Sequence, residues 1–249
     1  MNPTEFPLLV FVLSFLLLWL SEWIGSRLRK TIEDVHEDFA VILTATLTLL
    51  SLILGFAFSM AVSRYDQRKL YEEQEANAIG TEYLRIDLLP LSDGENPRIL
   101  LREYLDQRVL FYQTRDPVLL RYIDGATAQL QTKLWASVRG LSSAQQTATT
   151  ALAISGMNQV FDSQGSSQAA WGNRIPVAAW TLMGVMAISG NLMIGLYLRR
   201  FGSNGILLMV LPAIVSLSFL LIADIDSPRG GLIHIKPENL IRVAHSLGT

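Results

Sequence analysis

The sequence predicts an all-α membrane protein, with four transmembrane helices and an extramembranous helical bundle. Three observations lead there. Apolar residues, half of the 249, gather in four blocks, Phe6–Ile24, Phe39–Val62, Ile175–Leu198 and Gly205–Ala223. Each block can cross a hydrocarbon core of roughly 30 Å at about 1.5 Å per helical residue. Between the second and third blocks lies a polar interval whose apolar positions recur with helical rather than alternating spacing. The chain therefore divides into a first transmembrane helix pair (1–63), a helical extramembranous domain (64–174), a second transmembrane pair (175–223) and a C-terminal tail (224–249).

The first block reads as a retained span. The segment before it carries Glu5 and no basic residue, and its end, LSEWIGSRLRK, lacks a small-x-small cleavage pattern. Trp19 and Trp23 suit the interfacial zone, where an indole buries its ring and still hydrogen-bonds. In the second block Thr44, Thr48, Ser51, Gly55 and Ser59 recur every three or four positions and share one helical stripe. A lipid-facing helix needs no such stripe, so this edge is expected to meet other helices or a wet path. Leu52 and Phe56 lie beside it, where apolar side chains either form a constriction that gates by dewetting or simply meet lipid or a neighbouring helix.

The third block carries a second small-residue face, Gly184, Ala187, Asn191 and Gly195. It predicts either helix packing around a hydrogen-bonded amide or a pore-adjacent position for Asn191. In the fourth block, Pro212 predicts a kink.

The interval Arg64–Arg174 holds twelve basic and thirteen acidic residues, a balance that excludes a nucleic-acid surface. The second span continues without proline to Leu89 and is expected to run on as one long helix. LSDGENP (Leu91–Pro97) predicts a turn, Arg98–Gln113 a helix, and Asp116 and Pro117 the start of another. The Ser/Thr/Gln/Ala-rich stretch that follows predicts a helix giving way to a loop near Gly165. Glu72, Glu73 and Glu75, interleaved with basic residues, read as a solvated helix face.

Catalytic chemistry has little support. His36, His234 and His245 match no zinc spacing, there is no cysteine, and no nucleophile elbow, phosphate loop or dinucleotide fingerprint occurs. No enzyme activity, metal or cofactor is expected.

The string SLILGFAFSMAVSRYDQ (Ser51–Gln67) resembles the pore-helix signature of bestrophin anion channels, with Leu54, Gly55, Phe56, Val62, Ser63, Arg64 and Tyr65 in the matching places. ADIDSPRGG resembles the turn after the last span of that family, through Ile225, Asp226, Pro228 and Gly230. With EANAIGTEYLR (Glu75–Arg85) and DIDSPRGGLI, which begins at Asp224, the whole chain resembles bacterial bestrophin-like membrane proteins.

The resemblance implies a homo-oligomer, expected to be a pentamer, whose second helices surround an anion path with Phe56 at a hydrophobic neck. Leu52 stands where the family usually has an aromatic residue and Thr48 where it has an aliphatic one, which implies a looser or displaced constriction. Calcium binding in the family uses an acidic run after the turn, whereas this chain continues with Arg229 and GLIHIKPENL.

The expected function is thus a bestrophin-like ion channel in a lipid bilayer, favouring small inorganic anions. Spans read as free of acid support that choice, as does the resemblance. The alternative is a non-conducting scaffold or sensor whose helical domain binds a partner. The bacterial inner membrane is the expected location. The short connections Gly25–Asp38 and Arg199–Asn204 hold five basic residues and by density would face the cytoplasm, whereas the resemblance places the helical domain there.

Overall fold

A computed structural model describes residues 6–28, 37–144, 147–198 and 207–248. The two basic connections invoked for sidedness lie largely outside these residues. Eight helices follow in order: α1 (Pro7–Leu28), α2 (Glu37–Ile86), α3 (Leu91–Gln113), α4 (Pro117–Ala144), α5 (Ala148–Gly172), α6 (Val177–Leu198), α7 (Leu207–Asp226) and α8 (Glu238–Ser246). No strand occurs among the described residues. Among the described residues, four helical stretches are long and apolar enough to cross a membrane.

The chain forms two compact units: residues 1–65 with 174–234, and residues 66–173 with 235–249. Helix α2 belongs to both. Its 50 residues include no proline, so nothing interrupts the backbone ladder over about 75 Å.

In the first unit α1 packs on α6 and α7. The core joins Leu18, Leu50, Ala57, Ala61, Met183, Ala187, Val215 and Phe219, and the Trp180 ring meets Phe219 edge-on at 6.0 Å between centroids. Helices α1 and α6 approach backbone to backbone. A Cβ at Gly25 would strike the carbonyl of Leu192, and one at Gly195 the carbonyl of Glu22, so glycine is what allows the contact.

Glu22 corrects the reading of the spans as acid-free. It lies within α1, is 1% exposed, and neither carboxylate oxygen has a hydrogen-bond partner among the described residues. Near it, the Arg27 guanidinium stacks over Trp23 at 4.8 Å, pairing charge and indole.

In the second unit α3 packs on α4 and α8, and α4 on α5. Helix α4 opens as its sequence predicts: Val118 N donates to Asp116 Oδ1 at 2.8 Å, and Pro117 occupies the first helical position.

Two expectations fail here. The turn comes at residues 87–90, and α3 already begins at Leu91, with Pro97 inside it. Ser, Asp and Asn favour a first helical turn as well as a loop, and Pro90, which helices tolerate at their start, sets the boundary. Helix α5 likewise runs unbroken through Gly165 to Gly172. A capping box starts it, Thr147 Oγ1 accepting from Thr150 N at 3.2 Å and Thr150 Oγ1 from Thr147 N at 3.0 Å. At its other end Arg68 donates to the carbonyls of Ala170 (3.1 Å) and Asn173 (2.8 Å), a cation where the helix carries its negative pole.

The reading of Glu72 and Glu75 as a solvated face is also overturned. They are 1% and 0% exposed; only Glu73 faces outward. Glu72 accepts from Asn239 N and Leu240 N, both at 2.9 Å, and so caps α8 from another helix. Burial raises its carboxyl above the ordinary value, against the lowering effect of those bonds. Glu75 pairs with the fully buried Arg108, and its other oxygen accepts from Tyr112 Oη at 3.1 Å and Ser167 Oγ at 2.9 Å. Burial, reinforced by the Glu75 carboxylate, pushes the phenols of Tyr104 and Tyr112 up.

Candidate functional site

The membrane segment of α2 has two distinct sides. Leu43, Leu50, Ala57 and Ala61, spaced by two turns, two turns and one, are at most 7% exposed, and the last three join the first unit's core. Thr44, Thr48, Ser51, Leu52, Gly55, Phe56 and Ser59 are all exposed on the subunit. Phe56 is 64% and Leu52 51% exposed, so no helix of the same subunit covers the apolar part of this edge.

Three of the four hydroxyls of the edge bond to their own helix. Thr44 Oγ1 donates to the Ala40 carbonyl, Thr48 Oγ1 to Thr44 and Ser51 Oγ to Thr48, each at 2.8 Å. Each proton is satisfied internally, and oxygen lone pairs are left outward. Along one side the helix thus offers hydroxyl oxygens, a gap at Gly55 and a large apolar ring at Phe56, an arrangement suited to a narrow path with few charges.

The α6 face behaves differently. Ala187 and Asn191 are 0% exposed, and Gly195 sits against α1. Asn191 Nδ2 donates to the Ala187 carbonyl of its own helix at 2.8 Å, while Oδ1 has no partner among the described residues. Gly184 is half-buried, with open space beyond its Cα. Ala187, Asn191 and Gly195 therefore lie within the subunit's own packing, whereas Gly184 keeps open space beside it.

The turn after α7 is a hydrogen-bonded clasp. Asp224 accepts from Leu232 N (2.7 Å) and Ile233 N (2.9 Å). Asp226 accepts from Ile175 N at 3.1 Å and pairs with Arg64 at 3.5 Å, tying the start of α6 and the membrane end of α2 to the end of α7. Pro228 is buried, and Gly230 N donates to Ser227 Oγ at 3.0 Å. Among the described residues no cluster of three His, Asp or Glu offers a metal site, and the carboxylates of this turn already serve backbone donors.

Sequence reasoning missed the buried ionisable groups. Arg68, Glu72, Glu75, Ile79, Glu82 and Ile86 follow one another at steps of four and three, a single stripe in which two isoleucines mark the buried side. That spacing is a usable signal, although charge by itself points to solvent. Glu22 gave a similar one, an acid flanked by tryptophans inside an apolar block.

A family profile described as Bestrophin-like domain matches residues 8–240. A crystal structure of a bacterial bestrophin homolog from Klebsiella pneumoniae is similar with a TM-score of 0.66 at 15% identity, covering 95% of this chain and 96% of that one. A variant of a bacterial bestrophin homolog from the same organism gives a TM-score of 0.69 at 14% identity, covering 95% and 97%. No curated protein matches the chain. The fold is that of these bestrophin homologs, and the chain is an integral membrane protein that belongs to the bestrophin-like family.

Proposed function

We propose that the chain is one subunit of an oligomeric ion channel, a pentamer, in which copies of α2 surround the conducting axis. The observation that carries this reading is the exposed edge Thr44–Ser59, where hydroxyls and the rings and branches of Phe56 and Leu52 find no cover within the subunit. A polar, mixed edge is poorly matched to acyl chains, so copies gathered about water satisfy it better. Phe56 is the neck residue, with Leu52 and Thr48 one and two turns away. The permeant ion is a small anion, and the second unit lies on the cytoplasmic side of a bacterial inner membrane.

A specific observation favours a second reading, in which the ion is a cation. The hydroxyl protons of Thr44, Thr48 and Ser51 are spent on helix carbonyls, so the edge offers lone pairs rather than donors. Flux from proteoliposomes under separate chloride and sodium gradients decides between them. Conduction with a chloride-following reversal potential, raised by Phe56→Ala, supports the first reading; a sodium-following potential supports the second. Liposomes that stay tight with both wild type and Phe56→Ala would sink the channel itself.

A further inference from the structure

Within the second unit, one carboxylate has no evident structural duty. Glu82 is 0% exposed, and neither of its oxygens accepts a hydrogen bond from any described residue. Its nearest cation is Arg85 Nη1, one turn along α2 at 3.8 Å. The carboxyl lies against buried Gly156 of α5, where an added Cβ would come within 2.8 Å of Glu82 Cδ and would also strike the Arg85 guanidinium. The glycine is thus a notch shaped to an acid side chain. A buried carboxylate without donors is among the costlier groups a fold can hold, whereas the neutral acid costs far less.

Beside the notch runs an open polar groove between α2 and α5, about 770 Å³ in volume, lined by Asn77, Thr81, Arg85, Ser155, Gln159 and Asp162 among others. It gives an ionised Glu82 somewhere to go. Arg85, already on the groove wall, and water there can satisfy a charge that the Gly156 notch cannot.

We propose that Glu82 is a proton-operated latch, seated as a neutral acid in the Gly156 notch so that α5 closes on α2, and leaving for the groove when it ionises. Three features carry this: the buried carboxyl without a hydrogen-bond donor, the glycine shaped to it, and the adjoining polar exit. Burial pushes the Glu82 carboxyl up to about 8, with Arg85 acting in the opposite sense. Of the other charged groups nearby, Asp162 lines the same groove as Arg85. On α3, Arg98 and Arg102 stack over the Tyr83 ring at 5.0 and 5.3 Å. On α8, Arg242 adjoins Val243, which meets Gly80, and His245 lies two residues further on. On α5 the first acid after Gly156 is Asp162.

The linkage has a definite sign. The folded chain holds this proton more tightly than the unfolded chain, whose carboxyl titrates near the ordinary 4.5. Its contribution to stability is therefore complete below about 4.5 and is lost as pH rises through about 8.

The test uses the full chain in detergent, comparing wild type with Glu82→Gln between about pH 5 and 9. The infrared band of a protonated carboxyl should titrate away near pH 8 in wild type and be missing from Glu82→Gln. Hydrogen exchange of residues 155–160, corrected for intrinsic pH dependence, should lose protection across the same range in wild type only. Should Glu82→Gln fail to fold, Gly156→Ala replaces it, and filling the notch should shift the wild-type band to lower pH. A carboxyl band that titrates below pH 6, or protection of 155–160 that stays constant or falls equally in wild type and variant, would overturn the latch. None of these readouts requires ion conduction, so the latch and the channel can fail separately.

Discussion

Between Leu43 and Ala61, α2 buries small and aliphatic residues and turns hydroxyls outward; between Arg68 and Ile86, the same helix buries an arginine and three glutamates and turns Gln74, Asn77 and Thr81 outward. Different partners make this possible. In the second unit Arg68, Glu72 and Glu75 are each held by direct hydrogen bonds, Glu75 by Arg108, Tyr112 and Ser167, whereas Glu82 has only its longer ion pair with Arg85. In the membrane segment the polar edge has no partner on its own subunit beyond its own backbone. A polar group inside a fold is explained by what it touches, whereas one left uncovered implies something outside the chain. That difference divides the structural half of α2 from the half proposed to conduct.

The sharpest way to break the comparison is to unpair the buried charges. Arg108→Ala leaves the buried Glu75 carboxyl without its ion partner and is expected to cost about 3–5 kcal/mol, read as a large fall in the unfolding midpoint in detergent. Replacing both, Glu75→Leu with Arg108→Met, should restore most of that loss, because no lone charge remains. If the double variant were as unstable as the single one, the pair would not be the source of the effect.

Next comes the contact that holds α1 on α6. Gly195→Ala should cost about 1–3 kcal/mol, since its new Cβ meets the backbone of Glu22 rather than a yielding side chain. Asp226→Asn should cost a similar or smaller amount, about 1–3 kcal/mol, by weakening the bonds to Ile175 N and Arg64. Both are measured as shifts in the unfolding midpoint. The smallest stability effect is expected on the uncovered edge. Phe56→Ser should unfold within about 0.5 kcal/mol of wild type while changing flux strongly, a separation that a packing role for Phe56 would not give.

Some of this was open to reading from residues alone and some was not. The four apolar blocks and the continuous second helix were legible because long unbroken runs leave few alternatives. The start of α4 was legible because Asp116 and Pro117 carry specific backbone chemistry. The α3 boundary was not, because the residues of Leu91–Pro97 serve turns and first helical turns equally well. Helix α5 was missed at Gly165 since its small residues weaken every periodic signal. Glu72 and Glu75 were misplaced because charge outweighed spacing, although Ile79 and Ile86 share their stripe. On the candidate edge, the stripe could be read from the sequence, but which side of α2 the subunit leaves uncovered required the packing of Leu50, Ala57 and Ala61.

The chain has no cysteine, so single thiols can be placed at will. In proteoliposomes, a charged, membrane-impermeant thiol reagent should block flux through Thr48→Cys and Ser59→Cys and leave Ala57→Cys untouched. Block at Ala57→Cys with none at the other two would contradict an axis lined by the uncovered edge of α2.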